Sequence, residues 1–273
     1  MLERFNYINH TNESLEFGRT KLFVNENDLR DFSWEITSKN GRISGFKKGI
    51  VSKTIPVIIK CDSIEEGITL KNKLFEILEK DVLAVKHGKI IIGDYYLKCF
   101  VTESSKKEYL INKSYMQVTL KVSTDFPYWI KETKSIFNYG STEDEGDLDF
   151  NRDTPYDYSS NLIGKQLFNS NFVPSNFRMN IYGICVNPKI NIGGHIYEVT
   201  AEIGANEYLT IDSTNKTILL RKTNGTTENL FNKRGREYYI FEKIPTGSLN
   251  VSANGTFSFD VILLEERGEP KWI

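Results

Sequence analysis

The residues of this chain best able to hold a metal or to act as nucleophile and base are few and far apart. His10, His87 and His195 are isolated, and no HExxH, CxxC or Cys/His cluster is present, so a zinc site lacks its usual sequence support. Cys61, Cys99 and Cys185 are an odd number, widely spaced, each in an apolar strand-like setting, which predicts buried free thiols. "GRISG" (Gly41–Gly45) places its serine one position away from the GxSxG nucleophile elbow and has no strand-to-helix context, so it reads as a loop. Neither GxGxxG nor GxxxxGK is present to cradle a phosphate. The run from Asp147 to Asp153 starts like a calcium loop, with carboxylates or amides at alternate positions. Arg152 then stands where the sharp turn needs Gly, and Tyr158 where a bidentate Glu would close the shell, so the segment reads as solvated and acidic. Glu265-Glu266 cannot be read as a glycosidase pair, because the required separation is spatial, and neighbouring acids at a strand end are expected to be exposed. No residue is therefore assigned a catalytic, cofactor-binding or metal-ligating role. The expectation is a protein of binding or structure, with no cofactor and no enzymatic activity.

The totals agree with that. At 273 residues the chain exceeds the ~100–200 residues of one typical domain, so two domains are expected. Hydrophobic content of 39% and charged content of 26% belong to an ordinary globular protein. A net charge of -1 gives no general case for nucleic acid or a membrane surface as partner. The N-terminal "MLERFNYINHTNESLEFG" has no apolar stretch of signal-peptide length, and no run approaches the ~20 apolar residues of a membrane-spanning helix. Synthesis and folding in a cytoplasm are expected.

The elements that would position any site are mostly short strands. One helix is predicted, opened by Asp62-Ser63 with Glu65 and Glu66 in its first turn, where the helix dipole favours negative charge. Ile64, Ile68, Leu74, Phe75 and Leu78 recur near helical spacing and predict one apolar stripe for a sheet to cover, with Gly67 weakening the helix slightly. "TIPVIIKC" lies upstream as a strand. Downstream, "VLAVKHGKIIIGDYYLKCFV" is expected to fold back around His87-Gly88, with a further turn at Gly93-Asp94. Met116, Val118, Leu120 and Val122 alternate with Gln117, Thr119 and Lys121, the pattern of a half-buried antiparallel strand. This half predicts a sheet packed on a helix, an α+β or helix-decorated β-sandwich.

Between about Lys131 and Asn161 periodicity stops, and "STEDEGDLDFNRDTPYDYSSN" has the composition of an exposed acidic linker. The predicted organisation is 1–132, a linker over 133–160, and 161–273. The last segment is again strands and turns. "EYLTIDSTNKTILLRKTNG" holds no residue equipped for chemistry: Tyr208–Ile211 and Thr217–Leu220 flank the polar turn Asp212–Lys216, and Asn224-Gly225 follows. "KINIGGHIYEV" carries a Gly-Gly hairpin signal, and Asn254-Gly255 precedes the alternation Phe257, Phe259, Val261, Leu263, which suggests a type I′ turn. Short strands at this spacing predict an all-β sandwich. The 14 Tyr, 17 Phe and 3 Trp serve mainly a core, and Tyr also suits protein interfaces.

Three stretches in this order, "STDFPYWIKE" (Ser123–Glu132), "IYGICVNPKINIGGHIYEV" with "NEYLTIDSTNKTILL", and "EERGEPKWI" (Glu265–Ile273), resemble the distal tail proteins of long-tailed bacteriophages, the Siphovirus-type tail component family. The resemblance covers essentially the whole chain. It implies a mainly β protein, with an N-terminal β-sandwich carrying one helix and a C-terminal sandwich of galectin or carbohydrate-module type. It further implies a structural hub of a phage, prophage or tailocin tail. N-terminal domains would form a ring, commonly a hexamer, at the tail tip of the virion. The ring would join the tail tube and tape-measure protein to tail-tip or receptor-binding proteins, while the C-terminal domains project outward.

A galectin-like sandwich raises the alternative of a carbohydrate-binding protein recognising host cell-wall sugars. Asn187-Pro188-Lys189 matches part of a galectin's Asn-Pro-Arg stretch but departs at the Arg, and Cys185 stands where that motif has a His. No Trp lies between Trp129 and Trp272 to stack on a sugar, so "VNPKI" reads as the start of a strand and carbohydrate is not an expected partner of this domain.

Overall fold

Alternating apolar and polar residues build nearly all of this molecule from antiparallel strands. The structure, a computed structural model, describes residues 4–18, 21–24, 26–108, 113–138 and 165–272. The chain divides into two compact units, Met1–Lys131 with Glu266–Ile273, and Glu132–Glu265.

The first unit contains β1 (Phe5–Ile8), β2 (Ser14–Phe17), β3 (Leu22–Val24), β4 (Glu35–Lys39), β5 (Arg42–Lys47), β6 (Val51–Lys60), α1 (Ile64–Ala84), β7 (Gly88–Ile92), β8 (Tyr95–Lys107), β9 (Tyr115–Thr124) and the start of β10 (Trp129–Phe137). Strand order β10-β8-β7-β1-β2 makes one sheet, and β3-β6-β9-β8 the other. Strand β8 serves both: Tyr95–Cys99 pairs with β7, and Phe100–Lys107 pairs with β9 across a register shift between Val101 and Glu103. A bulge of this kind bends a strand and lets it change sheets. Phe5, Phe17, Ile55, Ile59, Leu97 and Leu120 are among the side chains sealed in the core. Each such burial contributes roughly 1.5–3 kcal/mol. Met116, Val118, Leu120 and Val122 are all buried, as their alternation predicts.

Helix α1 begins where expected. Ser63 is its N-cap, and the Ser63 side chain accepts a hydrogen bond from the Glu66 amide. The rest differs from the sequence-based expectation. The helix continues through "VLA" to Ala84 and ends with Val85 in the left-handed region, so the fold-back expected at His87-Gly88 is the helix-to-strand junction. The hairpin turn between β7 and β8 is the one at Gly93-Asp94. The buried face consists of Gly67, Leu74, Ile77, Leu78 and Asp81, whereas Ile64, Ile68 and Phe75 are exposed. Gly67 is placed by close approach: a β-carbon there would lie 2.5 Å from the Lys113 carbonyl oxygen.

The second unit holds the remainder of β10 and β11 (Gln166–Asn169), β12 (Asn176–Tyr182), β13 (Cys185–Val186), β14 (Lys189–Ile192), β15 (His195–Glu198), β16 (Glu202–Ile203), β17 (Tyr208–Asp212), β18 (Thr217–Arg221), β19 (Thr227–Asn229), β20 (Gly247–Ala253) and β21 (Phe259–Arg267). One sheet runs β19-β18-β17-β12-β21-β10, a second β11-β20-β14-β15, and β13 pairs with β16. Phe177, Ile181, Ile211, Ile218, Phe259 and Val261 are among its core residues. Of the linker expected over 133–160, residues 133–137 continue strand β10, and the part beyond 138 lies outside the described residues.

Two predicted hairpins form: β14–β15 turns at Gly193-Gly194, both with positive φ, and β17–β18 turns over Ser213–Lys216. A third does not. Neither Asn254 nor Gly255 has positive φ, and β20 and β21 are not paired with each other. Asn254 instead ties the chain to β14, its Oδ1 accepting from the Lys189 amide at 3.0 Å. Glu265 also departs from expectation, because it lies inside β21 and is buried.

Candidate functional site

The most concentrated set of titratable groups joins α1 to β1. Helical spacing from Leu74 through Leu78 turns Asp81 inward, where its carboxylate is fully buried. The Tyr7 hydroxyl donates to Asp81 Oδ2, the His10 amide donates to Oδ1 at 2.8 Å, and His10 Nδ1 lies 2.6 Å from Oδ1. Asn9 and Glu13 extend the network, and Lys80 holds Glu13 at 2.7 Å. Those hydrogen bonds, Lys80's first, draw the Glu13 pKa down to about 2. Burial, and then the bond to Asp81, pushes the Tyr7 hydroxyl well above the ordinary tyrosine range. A Tyr, a His and an Asp side by side suggest acid–base chemistry, but the carboxylate has no access to a substrate. The cluster locks a helix end to a strand.

The other histidines and the cysteines lie apart from this cluster. His87 Nε2 lies 2.9 Å from Asp125, and its ring sits 4.5 Å from that of Phe100. His195 Nε2 lies 3.0 Å from the Tyr239 carbonyl, with the rings of Tyr197 and Tyr238 beside it at 4.8 and 5.6 Å. The three cysteines are buried and free, and burial raises each thiol's pKa, that of Cys185 to about 11, so none is an activated nucleophile. Among the described residues no three His, Cys, Asp or Glu side chains are placed to hold a metal. The candidate calcium loop lies outside the described residues. A cleft of about 360 Å³ in the second unit is lined by Glu202, Glu207, Lys222, Glu228 and Lys233. Three of these charges have partners: Lys222 meets Glu228 at 2.6 Å, and Glu207 accepts the Gly204 amide at 3.0 Å.

What sequence reading missed is a surface. "GRISG" is not a loop: Asn40-Gly41, both with positive φ, form the turn of the hairpin β4–β5, and Arg42–Gly45 lie in β5. Ile36 stands opposite Phe46, and Ser38 opposite Ile43. Ser44 is an extra residue at a bulge, which brings Ile43 and Phe46 onto one face although they are three positions apart. Trp34 adds to that face, its ring 6.4 Å from Phe46 and edge-on. Ile36, Ile43 and Phe46 are 61%, 61% and 59% exposed. Lys48 braces the base, donating to the Pro127 carbonyl at 3.1 Å and lying 4.3 and 4.7 Å from the Tyr128 and Trp34 rings. Burial there, together with Lys53, depresses the Lys48 pKa.

The mainly β chain of two units, the first carrying helix α1, has the fold seen in phage adsorption-hub and baseplate proteins. The chain is similar over 96% of its length to the Dit protein (gp 19.1) of phage SPP1, a paradigm of the hub adsorption apparatus in phages infecting Gram-positive bacteria, covering 99% of that chain at 10% identity with a TM-score of 0.60. It is equally similar to a chain of the phage P2 baseplate in its activated conformation with calcium, covering 99% of this chain and 100% of that one at 12% identity and a TM-score of 0.60. The strontium form of that baseplate gives 13% identity and a TM-score of 0.59. No family model and no curated protein matches the chain.

Proposed function

We propose that this chain is a structural hub protein at the distal end of a phage or prophage tail, forming a ring, of six copies as its class commonly does, that joins the tail tube and tape-measure protein to tail-tip or receptor-binding proteins. One observation carries the reading: the fold of a phage hub protein extends over 96% of this chain and 99% of that one, so both units are shared in one order. A structural rather than enzymatic role is supported by the way the chain uses its reactive residues. The Tyr7 and His10 side chains are consumed in bonding the buried carboxylate of Asp81, and the thiols are sealed. Sugar recognition by the C-terminal sandwich gains nothing from the geometry, since Lys189 of the galectin-like stretch sits in β14 with its ammonium 3.8 Å from Glu198.

Immunogold labelling tests this on particles made by the phage or prophage that encodes the chain. Label confined to the tail end remote from the capsid is the expected result. Label along the tube, on the capsid, or absent from particles overturns the reading.

A further inference from the structure

Among the large apolar side chains that the first unit leaves in solvent, two sets each gather on one face of an element. One is the hairpin face of Trp34, Ile36, Ile43 and Phe46. The other is a stripe along α1 in which Ile64, Ile68, Phe75 and Val82 recur at i, i+4, i+11 and i+18, the spacing of a single helix face. Ile64 and Phe75 are 54% and 53% exposed. Neither group is the loose scatter normal for a surface. A two-stranded hairpin is marginal alone in water, and here neither strand pairs with a further strand while Trp34, Ile36, Ile43 and Phe46 stand on one face.

The hairpin is basic, and one border of the helix stripe is acidic. From Glu35 to Lys48 the hairpin bears Lys39, Arg42, Lys47 and Lys48 against the single acid Glu35, which Lys47 engages at 3.2 Å. Lys39 and Arg42 face each other across the hairpin tip, both exposed. Along one border of the helix stripe run Glu65, Glu76 and Glu79, all exposed and, among the described residues, without an ion-pair partner. On the other border Lys71 is already occupied, donating to the Lys113 and Tyr115 carbonyls at 2.8 and 3.0 Å.

We infer that the β4–β5 hairpin of one copy docks its apolar face on the α1 stripe of a second copy, with Lys39 and Arg42 reaching the Glu76–Glu79 border. Each copy carries both halves of the contact on the same unit. The contact is therefore heterologous and repeats from copy to copy, the arrangement that closes a ring when the rotation permits. Phe46 and Phe75 are its central aromatic anchors, and the charges set register and orientation. This rests on the hub reading for its ring and adds the surfaces that make it.

The test uses full-length chain at a fixed concentration. Lys39→Glu with Arg42→Glu should weaken self-association about tenfold or more. Mixing that variant with Glu76→Lys/Glu79→Lys chain should restore association between the two species, which neither variant shows alone. As a second reading, Ile43→Cys and Ile68→Cys chains are mixed and treated with a short bismaleimide, the natural cysteines being buried. A covalent dimer from the mixture, and none from either variant alone, is expected. No rescue and no mixed cross-link in a protein that still self-associates overturns the surface assignment and leaves the hub reading standing. A protein that never self-associates also overturns it. Failure of the hub reading itself is seen separately, in loss of label from the tail end.

Discussion

The Tyr7 hydroxyl donates to the carboxylate of Asp81, 74 residues further along the chain, with both side chains buried. The same carboxylate takes the His10 amide, so one buried anion fastens β1 to the last turns of α1. Removing it strands buried donors. Asp81→Ala should destabilise the fold by about 2–5 kcal/mol, and Tyr7→Phe by about 1–2 kcal/mol, since single unmet buried partners cost about 1–3 kcal/mol each. Urea unfolding monitored by circular dichroism measures both, and an Asp81→Ala chain as stable as the natural one would show that the cluster holds nothing.

At Gly67, helix propensity and packing make opposite demands. Alanine improves an exposed helix interior by roughly 1 kcal/mol over glycine. Here its β-carbon would also meet the Lys113 carbonyl and, at 2.7 Å, the Ser114 α-carbon, both backbone atoms that cannot swing aside. Gly67→Ala is expected to lower the melting temperature. A rise would mean that the 113–114 segment yields readily.

Alkaline pH should unfold the protein from its tyrosines. Burial is the leading cause that raises the hydroxyls of Tyr7 and Tyr197 far above the ordinary value. A folded pKa above the unfolded one, near 10, favours the protonated form in the folded state. The stability so contributed is whole below pH ~10 and declines as pH rises through the folded values. Ultraviolet absorbance titration should show these phenolates appearing late and together with unfolding. Early, independent ionisation of every tyrosine would contradict the burial.

The β17–β18 turn is organised by one side chain. Asp212 Oδ1 accepts the Thr214 and Asn215 amides, each at 2.9 Å, and Oδ2 takes the Asn215 side-chain amide at 2.9 Å. Asp212→Asn keeps an acceptor for both backbone amides and should be nearly silent, whereas Asp212→Ala should cost about 1–3 kcal/mol. Equal losses in the two variants, compared by chemical denaturation, would show that charge matters more than the turn.

This turn was plain in the sequence because its cause is local. An Asp followed by polar residues between two β-branched runs states both its strands and its connection, and the same holds for Gly193-Gly194 and for the Ser63 cap. The helix face was misread because Ile64, Ile68 and Phe75 share a helical period with the residues that are buried. Periodicity identifies a stripe but cannot say which of two stripes the sheet covers, and Asp81 on the inner one looked polar. The β4–β5 hairpin was hidden by its bulge, since Ser44 breaks the alternation that would have joined Ile43 to Phe46. Asn254-Gly255 failed for a tertiary reason: the chain leaves β20 for a different sheet, and Asn254 is held by β14. The interaction surfaces were the least legible part, because an exposed apolar residue differs from a core one only in what the fold leaves uncovered.

Light scattering on full-length protein separated by size-exclusion chromatography, over the widest soluble range of concentration, tests the ring most directly. The account predicts a discrete closed species at six times the 31.5 kDa chain mass, favoured as concentration rises. A strict monomer throughout, or an open-ended series of masses, would contradict it.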